Sequence, residues 1–169
     1  MVRGCQDSDA ATLNCPTNGG TVITISGSNF RSGMTVDVGG KACTSVTETD
    51  GVLTCLLPAG TGVLQLISVS LVIANGDGET TETLTSTGVY LIGYAAPSVD
   101  AISHTSCSRA NSSVLSSLKE CPRAGGGTLT VTGSNLGSEG AVVLIGIGVC
   151  DQLTHLSSSE VHCELSAGN

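Results

Sequence analysis

The chain has 169 residues, a net charge of −8 and a pI near 4.5; it is 40% hydrophobic, yet has one Phe, two Tyr and no Trp. Its six cations (Arg3, Arg31, Lys41, Arg109, Lys119 and Arg123) are scattered, whereas nucleic-acid binding needs them clustered, so that partner class is excluded. No apolar run approaches the ~20 residues of a membrane-spanning helix, and no apolar leader follows Met1-Val2-Arg3-Gly4.

Residues 1–20 read as irregular, with Asp7, Ser8, Asp9, Asn14, Pro16 and Asn18 as turn formers. Asp7 and Asp9 lack the further oxygen ligands of a calcium site, so a solvated loop is expected and no metal or other cofactor. Strands are predicted over 21–27, 34–38, 42–47 and 51–57. The longest apolar stretch, 63–74, reads as a buried strand, turned back by Asn75-Gly76-Asp77-Gly78 into 79–92. Asn75, Asp77, Glu79 and Glu82 miss the spacing of a calcium-binding loop. Tyr90 to Pro97 closes this half, with the two tyrosines expected to pack at the junction, and Ser98 to Ile102 reads as the first strand of the next.

Residues 103–124 match 1–18 in placement and are richer in Ser. They carry the sequon Asn111-Ser112-Ser113, an expected N-glycan site. The run Thr80 to Thr87 fits both a strand surface and an O-glycosylated one. The decisive feature is a duplication. Thr21-Val22-Ile23-Thr24-Ile25-Ser26-Gly27-Ser28-Asn29-Phe30 returns as Thr128-Leu129-Thr130-Val131-Thr132-Gly133-Ser134-Asn135-Leu136. Each copy follows a Cys-Pro and a glycine cluster, and each alternates apolar with Thr or Ser until a turn, the pattern of a half-buried strand.

The motif Gly-Gly-Thr-x-Ile-Thr-Ile-x-Gly-Ser-Asn-Phe, with Val36 to Cys43 and Leu53-Thr54-Cys55-Leu56-Leu57-Pro58 after it, resembles the IPT/TIG domain. That resemblance covers essentially the whole chain. It implies an all-β fold of two tandem immunoglobulin-like sandwiches, repeat 1 over 1–97 and repeat 2 over 98–169. The family occurs in plexin-type receptors, large extracellular arrays and some transcription factors, so it fixes fold more than function.

Eight cysteines fall into two sets: Cys5, Cys15, Cys43 and Cys55, then Cys107, Cys121, Cys150 and Cys163. Close Cys-x2-4-Cys zinc pairs are absent, which favours disulfides and an extracellular setting. Four cysteines allow three connectivities per repeat. The sequence-local one is expected: Cys5–Cys15, Cys43–Cys55, Cys107–Cys121 and Cys150–Cys163, the second stapling two strands across Thr49-Asp50-Gly51.

Aligning the copies, repeat 1 is expected to lack its first strand and repeat 2 its last two. An excerpt from a longer array, or strand donation by a neighbour, would account for this; both imply head-to-tail self-association. No catalytic constellation emerges. His104, His155 and His162 are the only histidines; His155 and His162 lie around a turn but have no free Cys to complete a metal site, and Gly125-Gly126-Gly127 precedes a strand, not a helix. The expectation is a non-enzymatic extracellular structural protein, an IPT repeat unit of an array or fibril, glycosylated and disulfide-stapled. The alternative is a ligand-binding or adhesion ectodomain fragment of a plexin-like receptor, which needs an exposed apolar or charged patch that the sequence does not show clearly. A carbohydrate-binding domain would want aromatic platforms, and three aromatics make it weak.

Overall fold

In a computed structural model, residues 1–74, 81–86, 88–109 and 117–168 are described. The described residues are all strand, turn and loop. They form two compact units, Met1–Ala96 and Pro97–Asn169. Unit 1 holds β1 (Val2–Arg3), β2 (Gln6–Ser8), β3 (Ala11–Cys15), β4 (Val22–Ser26), β5 (Thr35–Val38), β6 (Lys41–Ala42), β7 (Thr44–Thr49), β8 (Val52–Leu56), β9 (Gln65–Ala74), β10 (Thr81–Thr85) and β11 (Val89–Tyr94). Unit 2 holds β12 (Ser98–His104), β13 (Ser108–Arg109), β14 (Leu118–Lys119), β15 (Thr128–Ser134), β16 (Leu144–Ile145), β17 (Gly148–Val149), β18 (Asp151–Ser157) and β19 (Glu160–Glu164).

The duplicated run supplies the central strands of both units. On β4, Ile23 and Ile25 are buried and Val22 and Ser26 exposed; on β15, Leu129 and Val131 are buried. Period-two alternation of β-branched residues puts one face of each strand into a core and the other against water. The sheets match in order: β1-β4-β8-β7 in unit 1 and β12-β15-β19-β18 in unit 2. The glycine pairs before each run also match. Gly19 N–H reaches Pro16 O and Gly20 N–H reaches Leu57 O, as Gly125 reaches Pro122 and Gly126 reaches Leu165. Gly19 and Gly125 have φ of 68° and 72°. A Cβ on Gly19 would lie 2.5 Å from Leu57 O, and one on Gly125 2.5 Å from Leu165 O. The turn therefore demands glycine twice over, by conformation and by space. Asn29 and Asn135, which end the runs, are also left-handed, with φ of 62° and 56°.

In unit 1 a second sheet, β2-β3-β11-β9-β5-β6 with β10 on β9, faces the first. Between them lie Ile23, Ile25, Val36, Val38, Leu53, Leu57, Ile67, Val69 and Ile92, an aliphatic core as the composition requires. Tyr94 is buried there too, and its hydroxyl donates to Pro58 O at 2.7 Å. Unit 2 has a smaller core around Leu129, Val131, Leu136, Val161 and the Cys150–Cys163 bond.

Five expectations change. The stretch 63–74 is a strand only from Gln65 and is not buried throughout: Ile67 and Val69 face the core, while Val63, Leu64 and Val72 are exposed. Repeat 1 does not lack its first strand: Val2 and Arg3 pair with Ile25 and Thr24 as Ile102 and Ser103 pair with Val131 and Thr130. Two residues are too short to carry periodicity, so the sequence gives no sign of β1. Residues 1–20 are not irregular but contain β2 and β3, and β3 pairs in parallel with β11. The strand over 42–47 is two strands: Cys43 separates β6, in the second sheet, from β7, in the first. The return over 79–92 is likewise split into β10 and β11. The turn at 75–78 lies outside the described residues.

Candidate assembly surface

Three of the four expected disulfides are formed: Cys5–Cys15, Cys107–Cys121 and Cys150–Cys163, with Cα–Cα distances of 5.2, 4.4 and 5.7 Å. Cys5–Cys15 closes the β2–β3 hairpin, and Cys107–Cys121 closes β13–β14 in the same place in unit 2. The fourth pair is the exception. Cys43 and Cys55 are buried thiols. They stand where Cys150 and Cys163 stand: Cys43 N–H donates to Val36 O as Cys150 N–H donates to Val143 O. The chain thus buries the two thiols as neighbours, without the expected bond. Their mutual interaction lowers the Cys43 pKa and, with burial, raises that of Cys55. Burial, aided by the neighbouring Cys43, pushes Tyr94 up to about 12. Asn111 lies outside the described residues.

The remaining polar candidates are occupied in local structure. Asp7 accepts from Gly4 N–H at 3.0 Å and lies 3.7 Å from Arg3. His155 Nε2 accepts from Ala141 N–H at 3.3 Å and its Nδ1 faces Gly137 O at 3.1 Å, so the ring pins the loop leading to β16. His162 faces Glu160 at 2.8 Å. His104 bridges Ser106 N–H and Gly126 O. His155 and His162 therefore engage separate partners, and among the described residues no group of three or more metal-ligating side chains gathers.

What does stand out is the β16–β17 hairpin. Its register repeats that of β5–β6: Leu144 opposes Val149 and Ile145 opposes Gly148, as Asp37 opposes Ala42 and Val38 opposes Lys41. On its other edge β5 pairs with β9, Val36 opposite Val69 and Val38 opposite Ile67. Among the described residues, no strand takes that place beside β16. The consequence is visible in burial: Val38 is 2% exposed, its counterpart Ile145 38%. A bare strand edge and an uncovered apolar face adjoin each other here.

The outer face of the same hairpin is apolar as well. Val142, Leu144, Ile147 and Val149 are 66%, 67%, 102% and 53% exposed. Their counterparts in unit 1 are Thr35, Asp37, Gly40 and Ala42. The apolar patch that the sequence did not show clearly is therefore present. Its signal lies in an alignment of the two hairpins rather than in either one alone.

Facing β-sheets around an aliphatic core in unit 1, with the β1-β4-β8-β7 sheet repeated in unit 2, define an immunoglobulin-like β-sandwich protein. The chain belongs to the IPT/TIG domain family, whose model matches residues 9–88 and 112–169. No curated protein sequence matches it. Among solved structures it is similar to the full extracellular region of plexin A4, in one structure at 20% identity over 99% of this chain and 15% of that one, TM-score 0.36. In a second plexin A4 structure the values are 14%, 100%, 13% and 0.35. It is also similar to SGBP-B of the Bacteroides ovatus mixed-linkage glucan utilization locus, in complex with a mixed-linkage heptasaccharide, at 11% identity over 100% of this chain and 61% of that one, TM-score 0.31. The chain thus spans about 15% of the first of these, and the family match carries the assignment.

Proposed function

We propose that the chain is a non-enzymatic structural unit of an extracellular array or fibril, in which IPT/TIG sandwiches are joined in series and β16 receives strands in the manner of β9 and β11. The observation that carries this reading is the repetition of one sandwich sheet along the chain, β1-β4-β8-β7 in unit 1 and β12-β15-β19-β18 in unit 2. Antiparallel strand addition supplies backbone hydrogen bonds and buries the apolar face in one step. Disulfides in both units suit an oxidising, extracellular compartment. N-linked sugar at Asn111 and O-linked sugar on the Thr-rich surface belong to the same proposal.

Negative-stain electron microscopy of the native material tests it. Long uniform fibres with an axial repeat of one or two sandwich lengths are expected. Dispersed particles, or rods ending in a membrane stub, would overturn the fibril and favour the second reading, a ligand-binding ectodomain, which the exposed apolar hairpin also suits.

A further inference from the structure

Strand β9 outruns its partner β5. Their last pairing is Ser70 opposite Thr35, whereas β9 pairs with β10 as far as Ala74. Side chains alternate along a strand, so Leu71 shares the core-side face of Ile67 and Val69 but lies past the end of β5. Leu84 on β10 opposes Leu71 and stands on the same face. Across from this pair runs the loop 28–34, and the two enclose a cleft of about 360 Å³, within the range of small-molecule sites. Val69, Leu71 and Leu84 line it from the strands, Phe30 and Met34 from the loop. The Phe30 ring sits over Gly27, where a Cβ would lie 2.5 Å from it. The glycine that ends β4 therefore lets the ring reach its place.

The charge here is unlike that of the rest of the chain. Acidic residues outnumber cations 14 to 6, yet no Asp or Glu lines this cleft and Arg31 does. Among the described residues Arg31 has no ion-pair partner. Glu48 lines a neighbouring cleft with Arg31, but its carboxylate accepts the Gly51 N–H at 2.8 Å. Unit 2 keeps neither group: Leu136, buried, replaces Phe30, and Gly137 replaces Arg31. We propose that this cleft binds an aliphatic carboxylate, its chain against Leu71, Leu84 and Phe30 and its carboxylate accepting from the Arg31 guanidinium. The walls favour an alkyl chain in proportion to the area they cover. The guanidinium selects the anion by charge complementarity and a forked pair of donors. None of these residues lies on the β16–β17 hairpin, so the proposal stands apart from the array reading.

Isothermal titration calorimetry of the full chain with decanoate, kept below its micelle concentration, tests this. Saturable one-to-one binding is expected. Octanoate should bind roughly tenfold more weakly for the two methylenes lost. Decanol should bind roughly tenfold more weakly for the missing charge. Arg31→Gln should reproduce that second loss with decanoate and leave decanol binding unchanged, whereas Leu84→Thr should weaken both ligands. Both side chains are exposed, and an unchanged thermal midpoint confirms that each variant folds. The chain has a single Phe, so magnetisation transfer from the decanoate methylenes to the Phe30 ring places the ligand in this cleft. No saturable binding, an Arg31→Gln variant that binds decanoate like wild type, or a bound ligand without transfer to Phe30 would overturn the proposal. Binding to vesicles of anionic phospholipid without binding to monomeric decanoate would overturn it as well, and would assign Arg31 to a membrane surface.

Discussion

Cys43 and Cys55 are the residues at which the two units differ most sharply in chemistry. In the native fold both sulfurs are buried, and the thiolate is the reactive species, so an alkylating reagent should leave them untouched for hours and add two groups once denaturant opens unit 1. Mass spectrometry after cleavage at Glu48, which lies between them, reads the outcome; no uptake in denaturant, with the fragments held together, would instead indicate a closed bond. Spacing alone placed these sulfurs within reach of each other. It carries no information on whether they bond, because a buried S–H···S contact and a disulfide need the same chain path. Tyr94 gives a pH test. An acid raised from 10 to about 12 by burial favours the neutral form in the fold. Its contribution is complete below pH 10 and is lost as pH rises toward 12, because only the unfolded chain is deprotonated in that window. Denaturant titrations at pH 9 and 11.5 should show unit 1 losing about 2 kcal/mol. Tyr94→Phe should flatten that fall while costing about 1 kcal/mol at neutral pH for the hydrogen bond to Pro58.

Among the elements, the duplicated strands and their glycine turns are where sequence and structure agree most closely. Ile23 and Leu129 alternate with exposed neighbours, and that pattern is enough to place β4 and β15. Gly19→Ala should destabilise unit 1 by roughly 1 to 3 kcal/mol from its backbone conformation alone, with the clash against Leu57 O in addition. Gly20→Ala, whose Cβ meets nothing within 4 Å, should cost less; thermal unfolding of the two side by side checks the ranking. The elements that escaped the sequence reading share a physical reason. β1 has two residues and no period. β3 is bordered by Asp9 and contains Asn14, both with positive φ, and so reads as a loop. Its parallel partner β11 lies some eighty residues away, a pairing that local pattern does not encode. The change of sheet at Cys43 is set by packing between the sheets, which a linear pattern also misses.

For the whole molecule, composition foretold an aliphatic core and a fold dependent on cross-links. Full reduction of the three disulfides should lower the thermal midpoint of both units, since loops of this size contribute on the order of 3 kcal/mol each. Circular dichroism with and without reductant measures it. The candidate surface was legible only in part. The uncovered edge follows from aligning the repeats. The apolar outer face emerges once Leu144 is matched with Asp37, and the hydrogen-bond register fixes that match.

The Cys5–Cys15 bond also bears on how unit 1 carries tension. The Met1 end lies at Ser26, whose N–H donates to Met1 O. At the opposite end Ala95 N–H donates to Cys15 O at 2.8 Å, and Tyr94 opposes Cys15 in the sheet. A pull between Met1 and Ala96 is borne by the β1–β4 and β3–β11 pairings, with the Cys5–Cys15 bond as the covalent tie between them. Reducing that one bond puts residues 5–15 into the load-bearing path and frees about 30 Å of slack. A single chain stretched between handles should lengthen by that step when reductant is added, turning a stiff tie into one with measured give.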